Sequence, residues 1–206
     1  MVQYHNITGT SRESLYIELP DAIALQVTAE QFEALAAANR DLRLERTSKG
    51  ELIVNPPTGG ESGKRNFNIT GQLARWCEDH EDWGEGFDSS TGFRLANGAN
   101  RSPDASWVSG ERWQALTPQQ RKGFVPLCPD FVIELRSESD SLPVLVAKMQ
   151  EYLANGARLG WLIDPLNRRV EIYRQGQEVE ALENPTELSG EDVLPGFVLS
   201  LRRVWI

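Results

Sequence analysis

Three residues of this chain, Asp104, Glu134 and Lys148, have the types that hydrolysis of a phosphate ester requires at one point. Carboxylates supply oxygen ligands, which hard ions such as Mg²⁺ prefer. A metal ion polarises the phosphate and activates a water molecule. A lysine beside it adds a mobile cation close to the developing negative charge. These residues are therefore candidates for one catalytic centre, provided that the fold brings them together.

Glu134 is the most informative of the three, because it lies inside the apolar run Phe131 to Leu135. A carboxylate buried without a partner in such a run costs several kcal/mol, on the order of the penalty for an uncompensated buried charge. The sequence therefore predicts a partner for it, which is a metal ion, a lysine or an arginine. The alternative interpretation is that Glu134 faces a groove or pairs with an arginine for structural reasons.

Asp104 is weaker evidence, because Pro-Asp pairs are common at turns and the chain has a second one at Pro129-Asp130. Asp130 opens the strand that leads to Glu134, which favours a structural role at a strand end. Asp140 stands where it could cap the following helix, and we interpret it as that cap.

Lys148 lies on the border of the apolar stripe of a helix predicted from about Ser141 to Asn155, one turn before Tyr152. Its long stem could pass along the core and bring the ammonium to the sheet. A lysine on the solvated flank of the helix is the alternative.

The remaining pattern predicts one α/β domain with a mixed central sheet flanked by helices, from residue 28 to residue 206, after an N-terminal arm over residues 1–27. Thr28 and Gln31 form a capping box for a helix from Ala29 to about Ala38, and a second helix runs from about Glu61 to Glu78. Apolar and β-branched runs between turn signals predict the strands. These strands are Leu42 to Thr47, Glu51 to Asn55, Gly84 to Ser89, Gly92 to Leu95, Asp104 to Ser109, Pro129 to Arg136, Leu159 to Asp164, Arg169 to Arg174 and Gly196 to Leu201.

Composition excludes several classes of function. The net charge of −9 argues against a large non-specific DNA-binding surface, which needs clustered Lys and Arg. Two scattered histidines, His5 and His80, argue against a histidine metal centre or a Ser-His-Asp triad. Cys77 and Cys128 lack the close spacing of zinc-binding cysteines, and we therefore predict that both are reduced thiols.

The sequence also bears on location. Its first residues lack the basic and then apolar segments of a signal peptide, and no apolar run approaches the ~20 residues that cross a bilayer. These features predict a cytoplasmic protein without a membrane segment.

Taken in order, several segments resemble the Uma-two (Uma2) family of "putative restriction endonucleases" within the PD-(D/E)xK nuclease superfamily. The resemblance runs from about Thr28 to the C-terminus and depends on the ordered set rather than on one motif. The segments are Gly50 to Val54, Thr58 to Glu61, Ser90 to Leu95, Arg101 to Ser106, Pro129 to Glu134, Lys148 through Tyr152 to Gly156, Trp161 to Pro165 and Leu194 to Phe197.

The resemblance implies a nuclease core with Asp104 and Glu134 as metal ligands, and Mg²⁺ or Mn²⁺ as the ion. It implies that Glu61, in the first turn of the second helix, is an additional acidic residue beside the metal. A favourable charge at a helix N-terminus is an equal alternative for Glu61. In the superfamily pattern a lysine stands two residues after the acidic ligand, and here Arg136 holds that place. The resemblance therefore assigns the lysine role to Lys148.

Two hypotheses of function follow from the sequence. The first is a metal-dependent endonuclease that hydrolyses DNA, and a homodimer would suit the cutting of both strands. The second is a catalytically inactive protein of the nuclease fold that binds nucleic acid or assists assembly, which the acidic charge and Arg136 favour. A third hypothesis is a metal hydrolase that acts on another phosphate ester.

Overall fold

The computed structural model describes residues 24–205. The predicted arm, residues 1–27, lies mostly outside this range. Its last residues run beside a hairpin, where the Val27 amide donates to the Gly50 carbonyl at 2.8 Å and the Leu52 amide donates to the Leu25 carbonyl at 2.7 Å. No helix in the described part of the chain is long and apolar enough to cross a membrane.

Four α-helices and twelve strands make up the described fold. The helices are α1 (Ala29–Ala38), α2 (Gly60–Asp79), α3 (Gly110–Gln114) and α4 (Leu142–Ala154), with a 3₁₀ turn at Gln120–Lys122. The first six strands are β1 (Arg43–Arg46), β2 (Leu52–Asn55), β3 (Gly84–Asp88), β4 (Phe93–Arg94), β5 (Asn100–Arg101) and β6 (Ala105–Ser109). The other six are β7 (Phe131–Leu135), β8 (Leu159–Asp164), β9 (Arg169–Arg174), β10 (Glu180–Glu183), β11 (Glu187–Ser189) and β12 (Val198–Ser200).

A six-stranded mixed sheet in the order β10-β9-β8-β7-β6-β3 forms the centre of the domain. Its one parallel pair is β7 with β8, and α4 is the crossover that connects them. The prediction of a single α/β domain with a mixed sheet and flanking helices is confirmed. The strands do not all join one sheet, however, because β2-β1-β5-β4 form a separate four-stranded sheet and β11-β12 a small one.

Strand alternation divides the core into two layers. On β7, Phe131, Ile133 and Leu135 face the layer that contains α2 and the C-terminal segment. Val132 faces the opposite layer, which contains α4. Glu134 lies on the same side as Val132, and so it points toward α4 rather than into the α2 layer.

The structure confirms the local signals that predicted α1 and α4. Thr28 and Gln31 form the complete capping box of α1. The helix α4 has a proline in its first turn, where no helical N–H partner is lost, and it is followed by Gly156 with φ of 108°. Leu145, Met149 and Tyr152 bury one face of α4, and full burial of such side chains contributes about 1.5–3 kcal/mol each.

The interpretation of Asp140 as the cap of α4 is wrong. Ser141 is the N-cap residue, and no side chain caps the helix. The Asp140 carboxylate instead accepts hydrogen bonds from the Ser137 amide and the Ser137 hydroxyl, both at 2.7 Å. Because Asp140 can close this local turn, its carboxylate is not available to the first turn of the helix.

Candidate active site

Asp104 and Glu134 lie next to each other at one end of the β6–β7 pair. These strands are antiparallel, with Ala105 opposite Ile133, and the Asp104 amide donates to the Ile133 carbonyl at 3.0 Å. One oxygen of Asp104 accepts a hydrogen bond from the Leu135 amide at 2.9 Å. The backbone of the central strand therefore fixes the Asp104 carboxylate beside Glu134.

Lys148 reaches this point from α4. Its ammonium lies 2.9 Å from Oε1 of Glu134 and 3.0 Å from Oε1 of Glu45. The Tyr152 hydroxyl donates to the same Glu134 oxygen at 2.9 Å, and the ammonium lies 5.9 Å from the centre of the Tyr152 ring. Two residues one turn apart on α4 thus contact one carboxylate of the sheet.

Glu45 is part of this cluster, and sequence reasoning missed it. It lies on β1, is only 3% exposed, and accepts hydrogen bonds from Lys148, Arg101 and the Ser102 amide. In the sequence it belongs to the run Arg43 to Arg46, three of whose four residues are charged, which is typical of a solvated strand. The fold places Glu45 against Lys148 of α4 and Arg101 of β5, and the sequence pattern does not reveal these contacts.

Burial and neighbouring charges shift the pKa values of the three acidic side chains in the cluster in different directions. Burial raises the pKa of Glu134 to about 7; Lys148 opposes this rise, and Asp104 and Glu45 add to it. Burial also raises the pKa of Asp104, against the Leu135 hydrogen bond and Lys148. For Glu45, burial is outweighed by Lys148 and Arg101, which hold its pKa below the ordinary value. Glu134 therefore changes its protonation state near neutral pH.

The pKa values of Lys148 and Tyr152 both rise. Burial alone would lower the pKa of Lys148, but the Glu134 and Glu45 carboxylates outweigh it and keep the ammonium charged. Burial and the neighbouring Glu134 raise the pKa of Tyr152 well above its usual value, so the phenol stays protonated and donates. The pair supplies one cation and one neutral donor.

The other candidate acids and Arg136 occupy different positions. Arg136 donates to Asp164 at 2.8 Å and does not hold Glu134. Glu61 lies in the first turn of α2, largely exposed, and pairs with Lys64 at 2.9 Å, an arrangement typical of a helix N-terminal charge. Asp130 lies at the far end of β7, where Arg112 and the Ser109 amide bind its carboxylate.

Asp104, Glu134 and Lys148 line one polar cleft of about 620 Å³, with Glu61 at its edge. Two buried polar atoms on its lining residues, Nε of Arg43 and Oδ1 of Asn66, have no hydrogen-bond partner among the described residues. The Arg43 guanidinium lies 3.7 Å from Asp104. A second groove of about 710 Å³, between α2 and β3, contains none of the candidate residues.

The donor chemistry of the cleft fits a divalent cation. In residues 24–205 no group of three or more His, Cys, Asp or Glu side chains is placed to hold one ion. Two carboxylates are nevertheless enough for Mg²⁺, which usually keeps several water ligands. The burial that raises the pKa of both Asp104 and Glu134 is a cost that a cation between them would offset.

A sequence model of the Uma2 family, described as "Putative restriction endonuclease", matches residues 29–202. The chain belongs to the Uma2 family. The match covers all four helices and every described strand, so family membership extends to the whole of the candidate site.

A solved structure supports the fold of this Uma2 chain independently. A "putative nuclease" from Anabaena variabilis aligns with a TM-score of 0.71 and 21% identity, over 87% of this chain and 97% of that one. At this identity the likeness shows the fold alone, a mixed sheet flanked by helices. No curated protein matches the chain.

Proposed function

We propose that this protein is a metal-dependent endonuclease that hydrolyses DNA. The observation that carries the proposal is the meeting of Asp104, Glu134 and Lys148 in one cleft, although they come from three separate elements. Membership of a family described as restriction endonucleases supports a nucleic acid as the substrate.

In this proposal Asp104 and Glu134 hold Mg²⁺ or Mn²⁺. The bound ion polarises the phosphate and lowers the pKa of a water molecule. The Leu135 amide fixes the direction of the Asp104 carboxylate, and the Tyr152 hydroxyl fixes that of Glu134. Lys148 places a permanent positive charge at the cleft, where it stabilises the negative charge that develops on the phosphate. Glu61 lies at the edge of the cleft, and its pairing with Lys64 makes it a weaker candidate for a ligand.

The cleft is not a basic surface, in keeping with the net charge of −9. Four cationic residues line it beside six acidic ones, and the cationic ones are Arg43, Arg65, Arg136 and Lys148. A phosphate oxygen that entered the cleft could accept from the Arg43 guanidinium, which is partly exposed there. We therefore expect affinity for DNA to depend on the metal and on few phosphate contacts, with a shallow dependence on salt.

The second candidate function is nucleic-acid binding or assembly without catalysis. Arg136 in the place of the usual lysine favours it, because arginine does not give up its proton. The structure pairs Arg136 with Asp164 and pairs Lys148 with Glu134, an arrangement that favours the catalytic proposal over this one. A hydrolase of another phosphate ester would use the same groups, and substrate comparison separates it from a nuclease.

A plasmid-nicking assay tests the proposal. Supercoiled plasmid is incubated with the wild-type protein in Mg²⁺, in Mn²⁺ and in EDTA, beside the Glu134→Gln variant. We expect nicked and linear products with the wild type in either metal, and none with EDTA or with the variant. Intact plasmid under all conditions, together with retained binding of a labelled duplex, would support the binding-protein alternative instead.

Two further features belong to the proposal. A homodimer would bring two clefts to the two strands of a duplex, and size-exclusion chromatography with light scattering measures it directly. A cytoplasmic location agrees with the free thiols of Cys77 and Cys128.

A further inference from the structure

Lys148 lies between two carboxylates that belong to different sheets. Glu134 comes from β7 of the central sheet, and Glu45 comes from β1 of the four-stranded sheet. The Lys148 side chain is only 12% exposed, so few other groups can replace these partners. The ammonium position therefore depends on both sheets.

The Glu45 carboxylate is itself held on both oxygens. Its Oε1 accepts from Lys148 at 3.0 Å and from the Ser102 amide at 3.1 Å, while its Oε2 accepts from Arg101 at 3.2 Å. Arg101 continues to Glu151, which follows Lys148 by three residues on α4. This closed ring, Lys148–Glu45–Arg101–Glu151, connects α4 to β1 and β5 without passing through Glu134.

The ring has a physical consequence for Lys148. A lysine side chain has four flexible torsions and a compact charge, and a single partner fixes it poorly. If Glu134 bound a cation, its attraction for the ammonium would fall and the cation would repel the ammonium. Glu45 accepts from Lys148 and is not needed as a ligand in the two-carboxylate set, so it would keep its attraction.

We propose that Glu45 is a positioning residue that holds the Lys148 ammonium at the cleft when Glu134 is engaged with a metal. The inference rests on the proposed function, because an ammonium held at the cleft matters only if the cleft is catalytic. The ring of contacts that supports it is independent of that function.

Chemical modification of Lys148 tests the position without measuring activity. The wild type and Glu45→Gln are treated with an amine-acetylating reagent, with and without Mn²⁺, and acetylation is measured by peptide mass spectrometry. Lys49, which is exposed, is the internal reference. We expect Lys148 to react about tenfold faster in the variant, the effect of losing one charge-assisted hydrogen bond, with the larger difference in Mn²⁺.

Kinetics in the same samples separate positioning from folding. We expect Glu45→Gln to lower kcat per folded molecule about 10- to 100-fold, with KM and Mn²⁺ affinity close to the wild type. The melting temperature should fall, because Lys148 and Arg101 lose a buried charge partner. The control is Glu183→Gln, which removes an exposed carboxylate paired with Arg169 at 3.0 Å, far along the chain in β10. It should leave both Lys148 acetylation and kcat unchanged.

If Glu45→Gln does not fold, Glu45→Asp replaces it, because aspartate keeps the charge but shortens the reach. Acetylation of Lys148 at the wild-type rate in either folded variant would overturn the proposal, as would an unchanged kcat. A wild type that cuts no DNA would remove the proposed function. Slow acetylation that depends on Glu45 would then still show that Glu45 holds Lys148.

Discussion

Asp104 and Asp130 each follow a proline and each come directly before a strand, but the structure gives them different surroundings. Because β6 and β7 are antiparallel, the two residues lie at opposite ends of the same strand pair. The dipeptide is the same in both places, so the difference comes entirely from what the fold brings to each end.

At one end of the strand pair, the Asp130 carboxylate pairs with a single cation. Arg112 lies 3.0 Å from its carboxylate, and the Ser109 amide donates to the same oxygen at 2.9 Å. One carboxylate thus has one cation and one backbone donor, and it joins α3 to the sheet. Both partners are protein groups, so we interpret this contact as structural.

The Asp104 end is crowded with carboxylates. Glu134 and Glu45 approach the same ammonium, and Asp104 lies 3.7 Å from Arg43, so three acids share the available cations. Burial of these charges is only partly compensated, as the raised pKa values of Asp104 and Glu134 indicate. The Pro-Asp motif therefore does not distinguish a candidate site from a structural contact. Buried carboxylate charge that the neighbouring cations only partly compensate does distinguish them.

The largest expected effect comes from matched substitutions of the two aspartates. Asp104→Asn should lower the rate of plasmid cleavage at least about 10³-fold, because it removes a proposed metal ligand. Asp130→Asn should keep the rate per folded molecule and lose about 1–3 kcal/mol of the free energy of unfolding, because it breaks a charge-assisted contact. Nicking rates and denaturant unfolding measure the two effects. Equal loss of cleavage in both variants would remove the distinction between the two ends.

Substitution of the cation at each end of the strand pair should give a second, smaller difference between the two ends. Lys148→Ala should lower kcat about 10²- to 10³-fold and leave Mn²⁺ affinity nearly unchanged, because an ammonium stabilises charge but ligates no metal. Arg112→Ala should leave kcat unchanged and cost about 1–3 kcal/mol of stability, because Asp130 remains buried without its cation. Single-turnover kinetics and titration calorimetry with Mn²⁺ separate these outcomes. A Lys148→Ala variant that cleaved at the wild-type rate would contradict the assignment.

Metal affinity should depend on pH through Glu134. Its pKa lies at about 7, so below that pH a proton must leave before the carboxylate can bind a cation. Mn²⁺ affinity should therefore fall about tenfold for each pH unit below 7 and level off above it. Calorimetry at several pH values between about 6 and 8 measures the slope. The Glu134→Gln variant, which has no proton to lose there, should bind weakly with no such slope.

The smallest effect concerns stability without metal. Burial raises the pKa of Asp104, which means that the folded state favours its neutral form. Asp104→Asn should therefore raise the free energy of unfolding by up to about 1 kcal/mol near pH 8. The gain should shrink as the pH falls through the pKa of Asp104, because the wild-type residue then becomes neutral as well. Melting curves at pH values on both sides of that range test it, and marked destabilisation at all pH values would make Asp104 a structural residue.

Much of the fold could be predicted from local patterns. The capping box of Thr28 and Gln31 fixed the start of α1, and the glycine at position 156 fixed the end of α4. The strands β8 and β9 have the predicted bounds, because continuous apolar or alternating runs between turns define them well. Short pieces such as β5, β10 and β11, and the helix α3, were not predicted, since they carry too few residues for a period to show.

The candidate site was predicted only in part. The sequence predicted a partner for Glu134, because a charge buried inside an apolar strand needs one. The structure pairs it with Lys148. Arg136 stands two residues after Glu134, on the same face of the strand, but its contact with Asp164 at the end of β8 could not be predicted from the sequence. Glu45 was missed because a charged residue on a four-residue strand is usually exposed, whereas here α4 and β5 bury it.

The sequence by itself identified Asp104, Glu134 and Lys148 as candidates, the longer helices and strands around them, and the family to which the chain belongs. The tertiary structure decided which charges meet. It placed Asp104 and Asp130 at opposite ends of one strand pair and brought Glu45 to Lys148 across 103 residues of chain. The physical reason is that propensity and periodicity act over one or two turns, whereas compensation of a buried charge depends on every element that packs around it.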